Sequence, residues 1–159
     1  MRARIEYLKV ARGVYDAMLG LEKYLHGCGL EESLIHLIKL RVSQINGCAY
    51  CIDMHWKDLR SIGEKDQRLY GLDAWQESSY YTDRERAALA WAEAVTNIKE
   101  GHAPDEIYEV ARKQFTEKEL ADLTLAIAAI NAWNRLAIAA RTVPGTYQPG
   151  STQERKESA

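Results

Sequence analysis

The chain has 159 residues, enough for one domain with a sizeable core, and its formal net charge of −2 leaves no basic surplus to hold nucleic acid. Three cysteines are too few, and odd in number, for the disulfide framework of a small secreted protein. The opening stretch MRARIEYLKVARGVYDAM is charged and lacks the apolar core and cleavage site of a signal peptide, so a reducing cytoplasm is the expected compartment.

Helical periodicity dominates from the start. Ile5, Leu8, Tyr15, Met18, Leu21 and Leu25 fall on one face of a first helix, which the glycines of Gly27-Cys28-Gly29 end. Leu34, Leu37, Ile38, Val42 and Ile45 form the stripe of a second helix, broken at Asn46-Gly47. A third helix is expected from about Cys48 to Ile62, with Gly63 as its stop, then a short helix within 64–71 and an irregular stretch after it. Thr82 with Glu85, and Thr116 with Glu119, are capping boxes that start two further helices. Between them Pro104 sits just inside the start of another, where its missing N–H costs nothing.

The last helix, 117–141, is apolar on most of its circumference, and Val143-Pro144-Gly145 ends it. Asn131, Asn134 and Arg135 interrupt it, so it reads as a buried helix and not a membrane span. There is no strand pair, hairpin signal or internal repeat. The expected fold is all-α, a bundle of about six to seven helices spanning 1–145, followed by a polar, disordered tail over 146–159.

The chemistry concentrates in INGCAYCIDMH, residues 45–55. At 100° per residue, Cys48, Cys51 and His55 lie at about 0°, 300° and 340° on a helix, so they share one face. Residues three apart have Cα atoms roughly 5–6 Å from each other, within disulfide range, so the pair can cycle between dithiol and disulfide. A helix N-terminus and a nearby imidazole both lower a thiol pKa from about 8.5. Peroxide attack on such a thiolate gives a sulfenic acid, which a neighbouring thiol condenses to a disulfide. The absence of a βαβ setting argues against thioredoxin. Two rival readings remain open. The cysteines can be packed simply as small hydrophobes. Alternatively, Cys48, Cys51 and His55 can hold zinc with His36 or His102 as a fourth ligand, although without a second CxxC or an HxxxH the usual closed site is incomplete.

The run from LIKLRVSQINGCAYCIDMHWKDLR through FTEKELADLTLAIAAINAWNRLAIAARTVPG resembles the alkylhydroperoxidase D-like family, also called the carboxymuconolactone decarboxylase family, over most of the chain. The CxxCxxxH element after SQINGC is the specific part. The resemblance implies an all-helical fold, a homo-oligomer (trimer or hexamer) and thiol-dependent peroxide reduction with a dithiol reductant whose identity is open. It implies that Cys51 attacks peroxide, that Cys48 resolves the sulfenic acid, and that His55 belongs to a proton relay. The family commonly carries a glutamate twelve residues before the first cysteine. Here that position is His36, which can also relay protons. The decarboxylase branch lacks the paired cysteines, so lactone decarboxylation is not expected.

The expected catalytic set is therefore Cys51, Cys48, His55 and His36, with no cofactor, no metal, no nucleic acid and no membrane. The alternative function is a redox sensor or oligomeric binding module that uses the CxxC as a thiol switch. Cys28 reads as a free thiol without a role, and His26 as a helix-end cation. Trp75, Trp91 and Trp133 read as core or interface anchors, and Asp53 and Asp58 as solvated or paired helix-surface groups. Asn131 and Asn134 must find partners in the bundle or across an interface.

Overall fold

The structure, a computed structural model, describes residues 2–150. Over these residues it is helical, with no strand. The elements are α1 (Tyr7–Val10), α2 (Arg12–His26), α3 (Glu32–Asn46), α4 (Ala49–Ser61), α5 (Asp66–Tyr70), α6 (Asp83–Thr96), α7 (Asp105–Arg112) and α8 (Glu117–Ala140), with 3-10 turns at Leu72–Ala74 and Ile98–Glu100. Both expected capping boxes are present, on α6 and α8. The break after α3 is made by Gly47 at φ +69, a conformation that only glycine adopts without cost.

Three boundaries differ from the sequence reading. The first helix is split at Ala11, whose φ is −154°, which gives eight helices among the described residues. The apolar stripe that suggested continuity is not a core face there, since Leu8 is 54% exposed. The segment before α1 is instead tied by the N–H groups of Arg4 and Ile5 to the carbonyl of Ala140 at the end of α8. Pro104 caps α7 from just outside instead of lying within it. Helix α8 stops before Val143-Pro144-Gly145, because Arg141 turns left-handed at φ 54°. Bonds from Arg141 N–H to Ile138 and from Thr142 N–H to Ala137 close that turn. The chain after it runs back along α4. The expected tail thus divides: residues 146–150 are described, and 151–159 lie outside the described residues.

Helix α3 is central. One face, with Leu34, Ile35, Ile38 and Val42, joins a core shared with α6 and α8. The opposite face places Leu37 and Leu40 in a second cluster with Leu59, Leu69, Leu72, Trp75, Tyr81 and Leu89. Burial on both faces makes α3 a rigid rail for α4, which packs directly on it. By length and composition α8 is apolar enough to cross a bilayer, with a mean hydropathy of 1.4. Its inner positions, however, are consumed by the bundle, and three of its outward ones are Ala121, Ala128 and Ala139, which need little cover.

The polar residues of α8 find their partners inside the bundle. The side-chain amide of Asn46 donates to Asn131 Oδ1 and Asn134 Oδ1, both at 2.9 Å, and Asn134 donates to Ser43 Oγ at 3.1 Å. Asn131 donates to Thr96 Oγ1. This ladder pins the last turn of α3, two residues before Cys48. Asn134 has no solvent exposure, so Asn134→Ala leaves Asn46 and Ser43 short of partners. The expected loss is about 2–4 kcal/mol, read as a lower urea midpoint at unchanged m-value.

Candidate functional site

The left-handed Gly47 sends the chain into Cys48, the N-cap of α4, which is held by a bond from its N–H to the Ser43 carbonyl. Cys48 Sγ accepts from the backbone N–H of Cys51 at 3.4 Å, so it occupies the position that a serine or aspartate oxygen takes at many helix starts. Cys48 and Cys51 are joined as a disulfide, with Cα atoms 5.4 Å apart, as the one-turn spacing predicts. Both residues lie within the core, Cys48 at 1% and Cys51 at 2% exposure. Two surface hollows lie elsewhere, one lined by residues such as Trp91, Tyr108 and Thr124 and the other by residues such as Arg41, Trp75 and Glu93.

His55 follows one turn after Cys51 on the same face of α4 and is buried at 4% exposure. Its two ring nitrogens have opposite surroundings. Nδ1 faces His36 Nδ1 of α3 at 3.3 Å and Asp58 Oδ2 at 3.5 Å. Nε2 is buried without a hydrogen-bond partner. His36 Nδ1 also lies 3.6 Å from Asp58 Oδ2, and its Nε2 lies 3.8 Å from Glu32 Oε1. The other oxygen of Asp58 accepts from the Tyr147 hydroxyl at 2.6 Å.

Burial pushes His55 below its ordinary pKa and takes His36 down to about 4, so both rings are neutral at pH 7. Burial alone would raise Asp58. Hydrogen bonds from His55 and Tyr147, with the nearby imidazoles, outweigh it and hold the carboxyl below its usual value, so it stays ionised. Burial and the Asp58 carboxylate push the Tyr147 hydroxyl well up, so it remains a donor. The segment carrying Tyr147 is held on α4 by Lys57, which donates to the carbonyls of Gly145 and Tyr147. Asp53 assists by accepting from Lys57 and from Gly145 N–H.

The structure packs His36 against His55 and joins Cys48 to Cys51 one turn before His55, and it adds two residues. Asp58, expected only to be solvated or paired, is paired at the centre of the site. Its signal was available, because it stands three residues after His55 on the same helix. Tyr147 lies in a polar stretch with no periodicity, and no sequence pattern marks it. His102 is in an exposed loop, Cys28 is a free thiol, and His26 is exposed at the end of α2.

A helical bundle that starts one helix on a buried CxxC and stacks a histidine behind it defines an alkylhydroperoxidase D-like protein. The chain belongs to the carboxymuconolactone decarboxylase family, whose profile matches residues 12–94. It is 43% identical over 139 residues to the uncharacterized protein YdfG of Bacillus subtilis strain 168, covering 87% of this chain and 95% of that one. A crystal structure of an Agrobacterium tumefaciens protein of unknown function, provisionally the antioxidant defence protein AhpD, superposes with a TM-score of 0.89. Identity to it is 44%, over 92% of this chain and all of that one. The debrominase Bmp8 shares the fold at a TM-score of 0.73 and 23% identity, over 85% of this chain and 73% of Bmp8.

Proposed function

We propose that this protein is a thiol peroxidase that reduces hydroperoxides through a Cys48–Cys51 dithiol/disulfide cycle. The observation that carries the reading is the unpartnered, buried Nε2 of His55, one turn behind a bonded cysteine pair. The Asp58 carboxylate keeps the ring proton of His55 on Nδ1, which leaves the Nε2 lone pair to take the Cys51 proton. The Cys51 thiolate attacks the distal oxygen of ROOH. The O–O bond breaks, Cys51 becomes a sulfenic acid, and the alkoxide leaves as ROH with the proton from His55. Cys48 thiol then displaces water from the sulfenic acid to form the disulfide, and an external dithiol reduces it by exchange. Position 36 supplies no carboxylate. His36 instead faces His55 Nδ1, and Asp58 carries the negative charge of the relay.

The test is peroxide consumption by wild type with a panel of dithiol reductants, in a reducing buffer that mimics the expected cytoplasmic setting. Multiple turnovers with at least one dithiol are expected. The rival reading is a thiol switch that oxidises once and changes partner or shape. That rival predicts a single stoichiometric oxidation with every reductant, and this outcome would sink the peroxidase.

Assembly as a homo-oligomer belongs to the same proposal. Its support is a set of exposed apolar side chains, Leu8 at 54% and Val10 at 72% exposure on the N-terminal segment and Ile138 near the end of α8, to which Arg4 and Ile5 tie that segment. Light scattering after size exclusion should give a multiple of the 18.1 kDa chain mass, and a stable monomer at micromolar concentration would refute it.

A further inference from the structure

We propose that His36, His55 and Asp58 form a binding site for one divalent transition-metal ion of the zinc type, with three protein ligands and an open fourth position. Three atoms on two packed helices converge. His36 Nδ1, His55 Nδ1 and Asp58 Oδ2 form a nearly equilateral triangle with edges of 3.3, 3.5 and 3.6 Å. These separations lie at the long end of hydrogen-bond distances, which cluster at roughly 2.7–3.2 Å between heavy atoms. They match the spacing of ligands around a tetrahedral ion: a ligand distance of about 2.0–2.1 Å places neighbouring ligands about 3.3–3.4 Å apart.

The donor chemistry agrees. Two ring nitrogens that face each other at 3.3 Å cannot both carry a proton, whereas two lone pairs can both face a cation. Two imidazoles and one carboxylate suit zinc and its first-row neighbours better than magnesium or calcium, which take oxygen ligands. An outer layer is also in place. Tyr147 donates to the other oxygen of Asp58, an outer contact of the kind that orients carboxylate ligands in metal sites. The Lys39 ammonium, whose charge acts on both rings, is buried and paired with Glu22, so it does not oppose the ion uncompensated. The sequence reading expected no metal because its only candidate set was built on the cysteines.

An ion on His55 Nδ1 would move the ring proton to Nε2 and remove the lone pair that the proposed function assigns to the Cys51 proton. Metal occupancy and thiol activation are then alternatives, a consequence that rests on the proposed function, whereas the binding site itself does not.

The test uses the full chain in its disulfide form with Cys28 alkylated, so that no thiol competes for metal. Calorimetric titration with zinc should show one equivalent bound at micromolar affinity or tighter. Asp58→Asn and His36→Gln should each weaken it by roughly a hundredfold or more, since even outer-layer partners are worth ~10–100-fold. His102→Gln should leave it unchanged. Cobalt(II) should give the visible bands of a four-coordinate site with no thiolate charge-transfer band. Circular dichroism confirms that the variants are folded; Asp58→Asn is isosteric and His36 lies at the edge of the site. Absence of saturable binding to wild type, or equal binding to both ligand variants, would overturn the site. Zinc should also slow peroxide consumption by the reduced enzyme. Unslowed consumption with binding intact would count against His55 as the base for Cys51 and not against the metal site.

Discussion

Cys48→Ser should accumulate a sulfenic acid on Cys51 and stop after one peroxide, whereas Cys51→Ser should not form one on Cys48 at a comparable rate. Two effects of similar size oppose each other here. The N-terminal field of α4 is strongest at Cys48, which caps the helix and already accepts the Cys51 N–H. His55 stands one turn behind Cys51, its Nε2 without a partner. The dipole stabilises a charge that has already formed, while the imidazole also removes the proton, and inside a core at 2% exposure a thiol without a base stays protonated. Proton removal decides the contest, and it favours Cys51 as attacker. Either substitution should reduce steady-state peroxide turnover to background, because the cycle needs both sulfurs. Dimedone trapping with mass spectrometry reads the site of oxidation. Labelling of Cys48 in Cys51→Ser at the wild-type rate would reverse the roles.

His55→Gln is expected to lower the rate of Cys51 oxidation by ~10²–10⁴-fold, the usual contribution of a positioned general base. Glutamine keeps most of the volume at this buried position and can still donate towards Asp58, so the effect on folding should be small. What it lacks is a nitrogen lone pair that can take a proton. Stopped-flow oxidation by hydrogen peroxide, with a chelator present to remove any metal effect, measures the chemical step directly. An unchanged rate would mean that Cys51 ionises without His55, and the relay would fall. Tyr147→Phe should be much milder, because Asp58 keeps its contacts with both histidines after losing the hydroxyl.

The sequence by itself determined the elements and the reactive pair. Capping boxes at Thr82 and Thr116, the break at Gly47 and the stripe of α3 are local signals, because each depends on residues within a turn or two. The Cys48–Cys51 spacing is local in the same way: one helical turn sets their separation whatever the rest of the chain does. Local reading also explains the errors. The stripe through Ile5 and Leu8 has helical period but faces no core, and periodicity cannot tell a buried face from an exposed one. The left-handed turn at Arg141 is held by backbone bonds, and it falls on a residue type that carries no turn signal.

Only the tertiary structure decided the surroundings of His55. His36 reaches it across the α3–α4 contact, and Tyr147 reaches Asp58 because the chain beyond α8 doubles back over a separation of 89 residues. Such contacts depend on how whole helices pack and on where an irregular segment finds hydrogen-bond partners, and neither leaves a periodic trace in the chain. Two histidines expected in a proton relay and an aspartate expected only at the helix surface become, by packing, three ligand atoms within 3.6 Å of one another.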